Sequence, residues 1–153
     1  MKKLLLLLIL VTLTYAQENP KVVFDLTTAK LQTFEKHILK AIPVHKTHYE
    51  GKLQELQVSV VIHGGAYKFF IKDPKNALVK KDPLLLKAHE TLQKRVSSVA
   101  STYDVEFLMC EVGMLKRGLT KKDLYPFVKV VATSTAGLID KQNAGFAYIP
   151  IGD

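Results

Sequence analysis

The chain has 153 residues, 48% of them hydrophobic and 24% charged. This is an ordinary globular composition for a single domain, large enough to bury a core without disulfide staples or a structural metal. Its one cysteine, Cys110, excludes an intramolecular disulfide and a cysteine-cluster metal site. The formal net charge of +8 favours an anionic partner, such as a membrane surface, an acidic protein or a small anion, or else serves only as a soluble basic surface.

The chain opens with "MKKLLLLLILVTLTYA". Lys2 and Lys3 precede an apolar run from Leu4 to Leu13, and Ala16 stands where a signal peptidase takes a small residue. This pattern predicts a secretory signal peptide over residues 1–16, cut before Gln17, with a single domain over residues 17–153. The apolar run is short for a bilayer and no second one follows, so no membrane span is expected after cleavage. Without Lys2 and Lys3, 20 basic residues remain against 14 acidic ones, a net +6. The expected location is periplasmic or otherwise exported. That location and the scattered lysines argue against nucleic acid as a partner.

"KVVFDLTT" after Pro20 reads as the first strand. Leu31, Phe34, Ile38, Ala41, Ile42, His45 and Tyr49 recur at helical spacing, which predicts an amphipathic helix over residues 29–50. Pro43 should kink that helix or end its first part. "LQVSVVIH" predicts a second strand stopped at Gly64-Gly65, and "AYKFFIK" a short helix. "DPKNALVKKD" has loop composition. Asp82 and Pro83 supply an N-cap and a first turn, and a stripe from Leu85 to Tyr103 carries a long helix to about residue 103.

"DVEFLMC" is the third strand, followed by a short helix in "EVGMLKRGL" that ends at Gly118. Thr120 and Asp123 match a capping box. "FVKVVAT" is the fourth strand. Ser134 can cap a helix over residues 135–143, with Gly145 as its stop, and "FAYIPI" is a fifth strand. Strands alternating with helices predict an α/β fold, a mostly parallel sheet with helices on both faces.

Ligands of open parallel sheets bind beyond the carboxyl ends of the strands. Those ends carry Thr27 and Thr28, His63 with Gly64 and Gly65, Cys110 with Glu111, and Thr133 with Ser134. Cys110 and His63 are the reactive types among them. Cys110 precedes a helix, whose free N–H groups and dipole favour a thiolate. Lys116 and Arg117 would add to this effect and Glu111 would oppose it. The alternative reading of Cys110, as a small buried hydrophobe at a strand end, stays open here. "HGGAY" lacks the spacing of a phosphate-binding loop. His45 and His48 sit one turn apart with no third ligand evident, so no metal is expected. Phe69 and Phe70 are adjacent, and one of them is expected to leave the core for a contact between subunits.

The set Cys110, Gly113, Met114, Arg117 and Gly118, preceded by a strand, resembles the DsrE/DsrF-like family. "VVIHGGAYKFF" is similar to that family's His-Gly turn, and "QNAGFAYI" to the ending of its exported, mostly uncharacterised branch. The resemblance runs over nearly all of residues 20–151. It implies a five-stranded α/β/α sandwich that assembles as a homo-oligomer, a trimer or hexamer. It also implies a sulfurtransferase-type carrier with Cys110 as persulfide site and His63 as polar or proton-handling support. Arg117, Gly64 and Gly65 would support the site. A sulfur donor or acceptor protein would be the partner, and no cofactor is implied. Its export signal sets this chain apart from the cytoplasmic relay members. The reading from a different class is a non-catalytic oligomeric module that binds a small anion or a partner protein.

Overall fold

The computed structural model describes residues 19–153, so the signal-peptide segment lies outside the described residues. Five parallel strands form one sheet: β1 (Lys21–Leu26), β2 (Gln57–Ile62), β3 (Val105–Cys110), β4 (Val128–Val131) and β5 (Ala147–Ile151). Their order is β4-β3-β2-β1-β5. The register runs Val22↔Val58 and Val22↔Ala147 on the two sides of β1, then Val58↔Val105 and Phe107↔Val128 outward through β2 and β3. The expected three-layer α/β fold is observed, with every pairing parallel.

The helices follow from this order. The chain steps outward from β1 to β4 and then returns to place β5 on the far side of β1. Right-handed crossovers therefore put the first three connections on one face and the last on the other. On the first face lie α1 (Leu31–Phe34), a π segment (Glu35–Lys40), α2 (Ala41–Glu50), α3 (Ala77–Lys80), α4 (Pro83–Thr102) and α5 (Glu111–Lys116). They cover a large core that includes Phe24, Phe34, Ile62, Phe70, Phe107 and Val96. On the second face α6 (Ser134–Asn143) covers a narrow strip of Val23, Val61 and Leu108.

The first helical stretch is continuous through Pro43, which does not end it. The hydrogen-bond ladder instead widens before the proline, and the Ala41 N–H bonds the Lys36 carbonyl five residues back. Pro43 has no N–H to offer the Leu39 carbonyl, and its ring crowds that group. The extra residue in the wide turn rotates the buried face. Phe34, Ile38, Leu39 and Ile42 are buried, whereas His45 of the expected stripe is exposed.

The "DPKNALVKKD" segment holds a helical turn, α3, where only a loop was expected. Asn76 caps it by accepting from the Leu78 N–H at 2.9 Å, and Val79 anchors it with no exposed surface. Asp82 caps α4 through the Leu85 N–H at 3.1 Å, and Thr120 and Asp123 form the capping box. The cap of α6 is Thr133, one residue before the expected Ser134.

Phe69 and Phe70 also correct an expectation. Both are fully buried within the one chain. They lie on a 3-10 turn, Ala66–Phe70, wedged between the sheet and the helices, so neighbouring side chains both meet protein. Phe34 stacks on Phe69 with centroids 4.5 Å apart and meets Phe70 edge-on at 5.6 Å. Neither ring is free to join a subunit contact.

Two features generate predictions. Leu53 follows α2 at the position where the chain turns left-handed, with φ 58°, and its side chain is 98% exposed. Glycine is the usual occupant of such a helix stop, and an L-residue there costs on the order of 1–2 kcal/mol. After the extra chain entropy of glycine, Leu53→Gly should gain about 0.5–1 kcal/mol. Urea unfolding should show a higher midpoint with an unchanged slope.

Glu106 on β3 faces the α6 side at the amino edge of the sheet. It accepts from Ser59 Oγ at 3.0 Å and Lys129 Nζ at 2.9 Å, and it pairs with Lys141 of α6. Burial opposes its ionisation, but these donors prevail and hold its pKa at about 2. A depressed carboxylate stabilises the fold above its unfolded pKa, and that contribution disappears as pH falls from about 4.5 through about 2. With Lys129 mostly exposed, solvent screening reduces the contribution to about 1–2 kcal/mol. Glu106→Gln should be less stable at neutral pH, and its deficit should vanish by the acid end of that window in denaturant titrations.

Candidate functional site

Strand alternation and topology together define one edge. Val61 packs under α6, so His63, two residues further along, faces that side. Cys110, at the end of its strand, clusters with the buried residues of the first face, while Ser134 of α6 also reaches its sulfur. The register Ile62↔Met109 brings His63 and Cys110 to adjoining positions at the carboxyl edge. Connections leave β1, β2 and β3 toward the first face, whereas the connection from β4 leaves toward the second. The crevice at such a switch of sides falls between β3 and β4. Cys110 ends β3 beside it, with α5 starting on one side and α6 on the other.

The surroundings of the thiol are specific. Cys110 is the residue before α5 and keeps 7% of its surface exposed. Burial pushes its pKa up. The Gly113 N–H and the Ser134 N–H and hydroxyl favour the thiolate, and the net direction is down from the ordinary thiol value. The single Tyr67 O–H donates to the Cys110 carbonyl at 3.0 Å. Burial, the hydrogen bond with Cys110 and the charge there hold the Tyr67 hydroxyl above the usual tyrosine range, and Arg117 opposes this.

Three elements hold the edge rigid. A Cβ on Gly113 would stand 2.0 Å from Tyr67 Oη, so only glycine lets α5 approach that ring. Arg117 lies over the Tyr67 ring, 4.3 Å from its centroid. Its guanidinium donates to the Gly113 carbonyl at 3.0 Å and to the Gly64 carbonyl at 2.6 Å, tying α5 to the His63 turn. Gly64 has φ +60°, and a Cβ on Gly65 would stand 2.6 Å from the Cβ of Ala29. The paired glycines thus let this turn pack on the segment after β1. Lys116 and Glu111 are exposed at the two ends of α5.

His63 is engaged as well. Its Nε2 lies 2.5 Å from Asp25 Oδ1, and Tyr148 donates to Asp25 Oδ2 at 2.7 Å. Asp25 and Tyr148 were not singled out from the sequence. A lone carboxylate inside the apolar "KVVFDL" strand was the available signal for Asp25. The other histidines are placed elsewhere. His89 is buried and bonds the Ile71 carbonyl at 2.9 Å, and His45 and His48 are exposed on α2. Among the described residues no group of three or more metal-ligating side chains occurs. A cavity of about 650 Å³, lined by Lys46, Glu50, Leu53, Leu56 and Tyr103 among others, opens at the opposite, amino edge of the sheet.

Comparison with known proteins agrees with this architecture. An uncharacterized protein of Aquifex aeolicus (strain VF5) is 30% identical over 157 residues, which cover 98% of this chain. The chain spans 64% of that relative's length. A solved structure, the protein of unknown function MTH1491 from Methanobacterium thermoautotrophicum, has the same fold with a TM-score of 0.61. The likeness covers 86% of this chain and 99% of that one at 20% identity. The model of the DsrE/DsrF-like family matches residues 7–151, and the chain belongs to that family.

Proposed function

We propose that this protein is an exported sulfur carrier that holds sulfane sulfur as a persulfide on Cys110 and passes it between partner proteins. The observation that carries the reading is the placement of Cys110. Its thiol stands at the switch point between β3 and β4, where donors from α5 and from the start of α6 favour the thiolate. The thiolate is the nucleophile and the leaving group of sulfur exchange. In the acceptor step the Cys110 thiolate attacks the outer sulfur of a donor persulfide, R–S–SH. A new S–S bond forms on Cys110, the old one breaks, and the donor leaves as R–S⁻. Nothing is oxidised overall and no cofactor is needed. Family membership supports a sulfur-relay role, and the basic start, apolar run and Ala16 support export.

A homo-oligomer, trimeric or hexameric, belongs to the same reading. The uncovered edge strand β5, with Tyr148 and Ile149 each 44% exposed, is the surface that supports it.

The decisive measurement is the intact mass of the protein purified from its native envelope fraction. Added sulfur that a reductant removes, and that is absent from Cys110→Ser, is the expected result. Cys110→Ser should keep its fold, since it replaces one small side chain at a strand end. The thiol should alkylate with an apparent pKa below about 8.5. A thiol inert until denaturation would defeat the carrier reading and leave a non-catalytic binding module.

A further inference from the structure

Asp25, His63 and Tyr148 come from three adjacent strands and meet on the α6 side of the carboxyl edge. The side chain of Asp25 is only 14% exposed, and that of His63 28%. Both carboxylate oxygens of Asp25 are engaged, Oδ1 by His63 and Oδ2 by Tyr148. A carboxylate only accepts, so the His63 Nε2 must donate. The neutral ring then carries its proton on Nε2 and keeps its lone pair on Nδ1. The backbone is fixed too, because the His63 N–H donates to the Leu26 carbonyl at 3.0 Å and Arg117 grips the next residue's carbonyl at 2.6 Å. Adjacent strands lie about 4.8 Å apart, and Cys110 occupies the adjoining position on β3.

We infer that Asp25 and Tyr148 are positioning residues that lock His63 in its Nε2–H form, so that Nδ1 serves as the proton acceptor and donor for Cys110 through intervening water. The inference rests on the sulfur-exchange reading of Cys110. The Cys110 Sγ–H proton passes to Nδ1, leaving a thiolate and an imidazolium whose charge faces the Asp25 carboxylate. After exchange the same proton returns to the departing R–S⁻. Protons and charge balance with no further reactant. Asp25 pairs with the ring, Tyr148 pairs with Asp25, and the Arg117 guanidinium holds the carbonyl of the next residue, Gly64. Tyr148 acts through Asp25 alone, and its hydroxyl pKa is raised by that hydrogen bond.

Nitrogen-15 spectroscopy of the native protein with the ring neutral should find the His63 proton on Nε2. A proton on Nδ1 would overturn the inference without recourse to any variant. Iodoacetamide alkylation of Cys110 followed across pH is the second readout. His63→Gln and Asp25→Asn should each slow the reaction at neutral pH by about tenfold or more and flatten its pH profile. Tyr148→Phe, which removes only the hydroxyl that bonds Asp25, should slow it about threefold and alter that profile. Unchanged profiles in His63→Gln and Tyr148→Phe would overturn the inference even if Asp25→Asn fails to fold. Loading with inorganic polysulfide separates the two readings. Loading with a His63-independent alkylation profile would reject the relay and keep the carrier. A His63-dependent profile with no loading would do the reverse.

Discussion

After β4 the chain has no position left on the first face of the sheet that a short right-handed connection can reach, if β5 is to pair with β1. It must cross behind the sheet, and α6 is that crossing. Much of the functional edge depends on this one reversal. It sends the segments after β3 and β4 to opposite faces of the sheet on either side of Cys110. It also aims the start of a ten-residue helix at the thiol, where Thr133 satisfies the Ala136 N–H and leaves Ser134 to face the sulfur. Because α5 starts on the other side, the cysteine stands between two helix beginnings whose free N–H groups act in the same sense.

Packing on the first face then fixes the geometry that topology only permits. Tyr67 is wholly buried, and its hydroxyl reaches the Cys110 carbonyl while its ring carries Arg117. Gly113 gives that ring its room. The Arg117 fork spans from α5 to the His63 turn, so the ends of β2 and β3 are braced by a cation that stacks and donates at once. Such a brace needs a planar group that stacks while two of its N–H groups donate, and a lysine ammonium has no planar face.

The fold was largely legible because its signals were local. Alternating β-rich runs and helical stripes located all five strands, and Asp82-Pro83, Thr120 with Asp123 and Gly145 marked ends that the backbone uses. The misses were also local in kind. A π turn shifts the buried face of the first helix by a residue, and periodicity at 3.6 cannot register that. The adjacent rings of Phe69 and Phe70 looked incompatible with one core because a 3-10 wedge enclosed on both sides has no polar face. At the site, the strand ends marked Cys110, His63 and Ser134. The contact of Tyr67 with Gly113 and the pairing of Asp25 with His63 depend on side chains 46 and 38 positions apart, which no spacing rule connects.

The two faces of the sheet are unequally clad. The first is buried under several helices, whereas the second carries α6 over three fully or nearly buried residues, Val23, Val61 and Leu108. Local opening free energies follow the apolar surface that holds a segment down, so the thin side should open first. The helix that would lift there is the one whose first turn faces the sulfur. A fluctuation that frays α6 would therefore change the electrostatics of Cys110 and its access to solvent in the same event. Reactivity at this edge and the breathing of the thin layer are in that sense one property of the molecule.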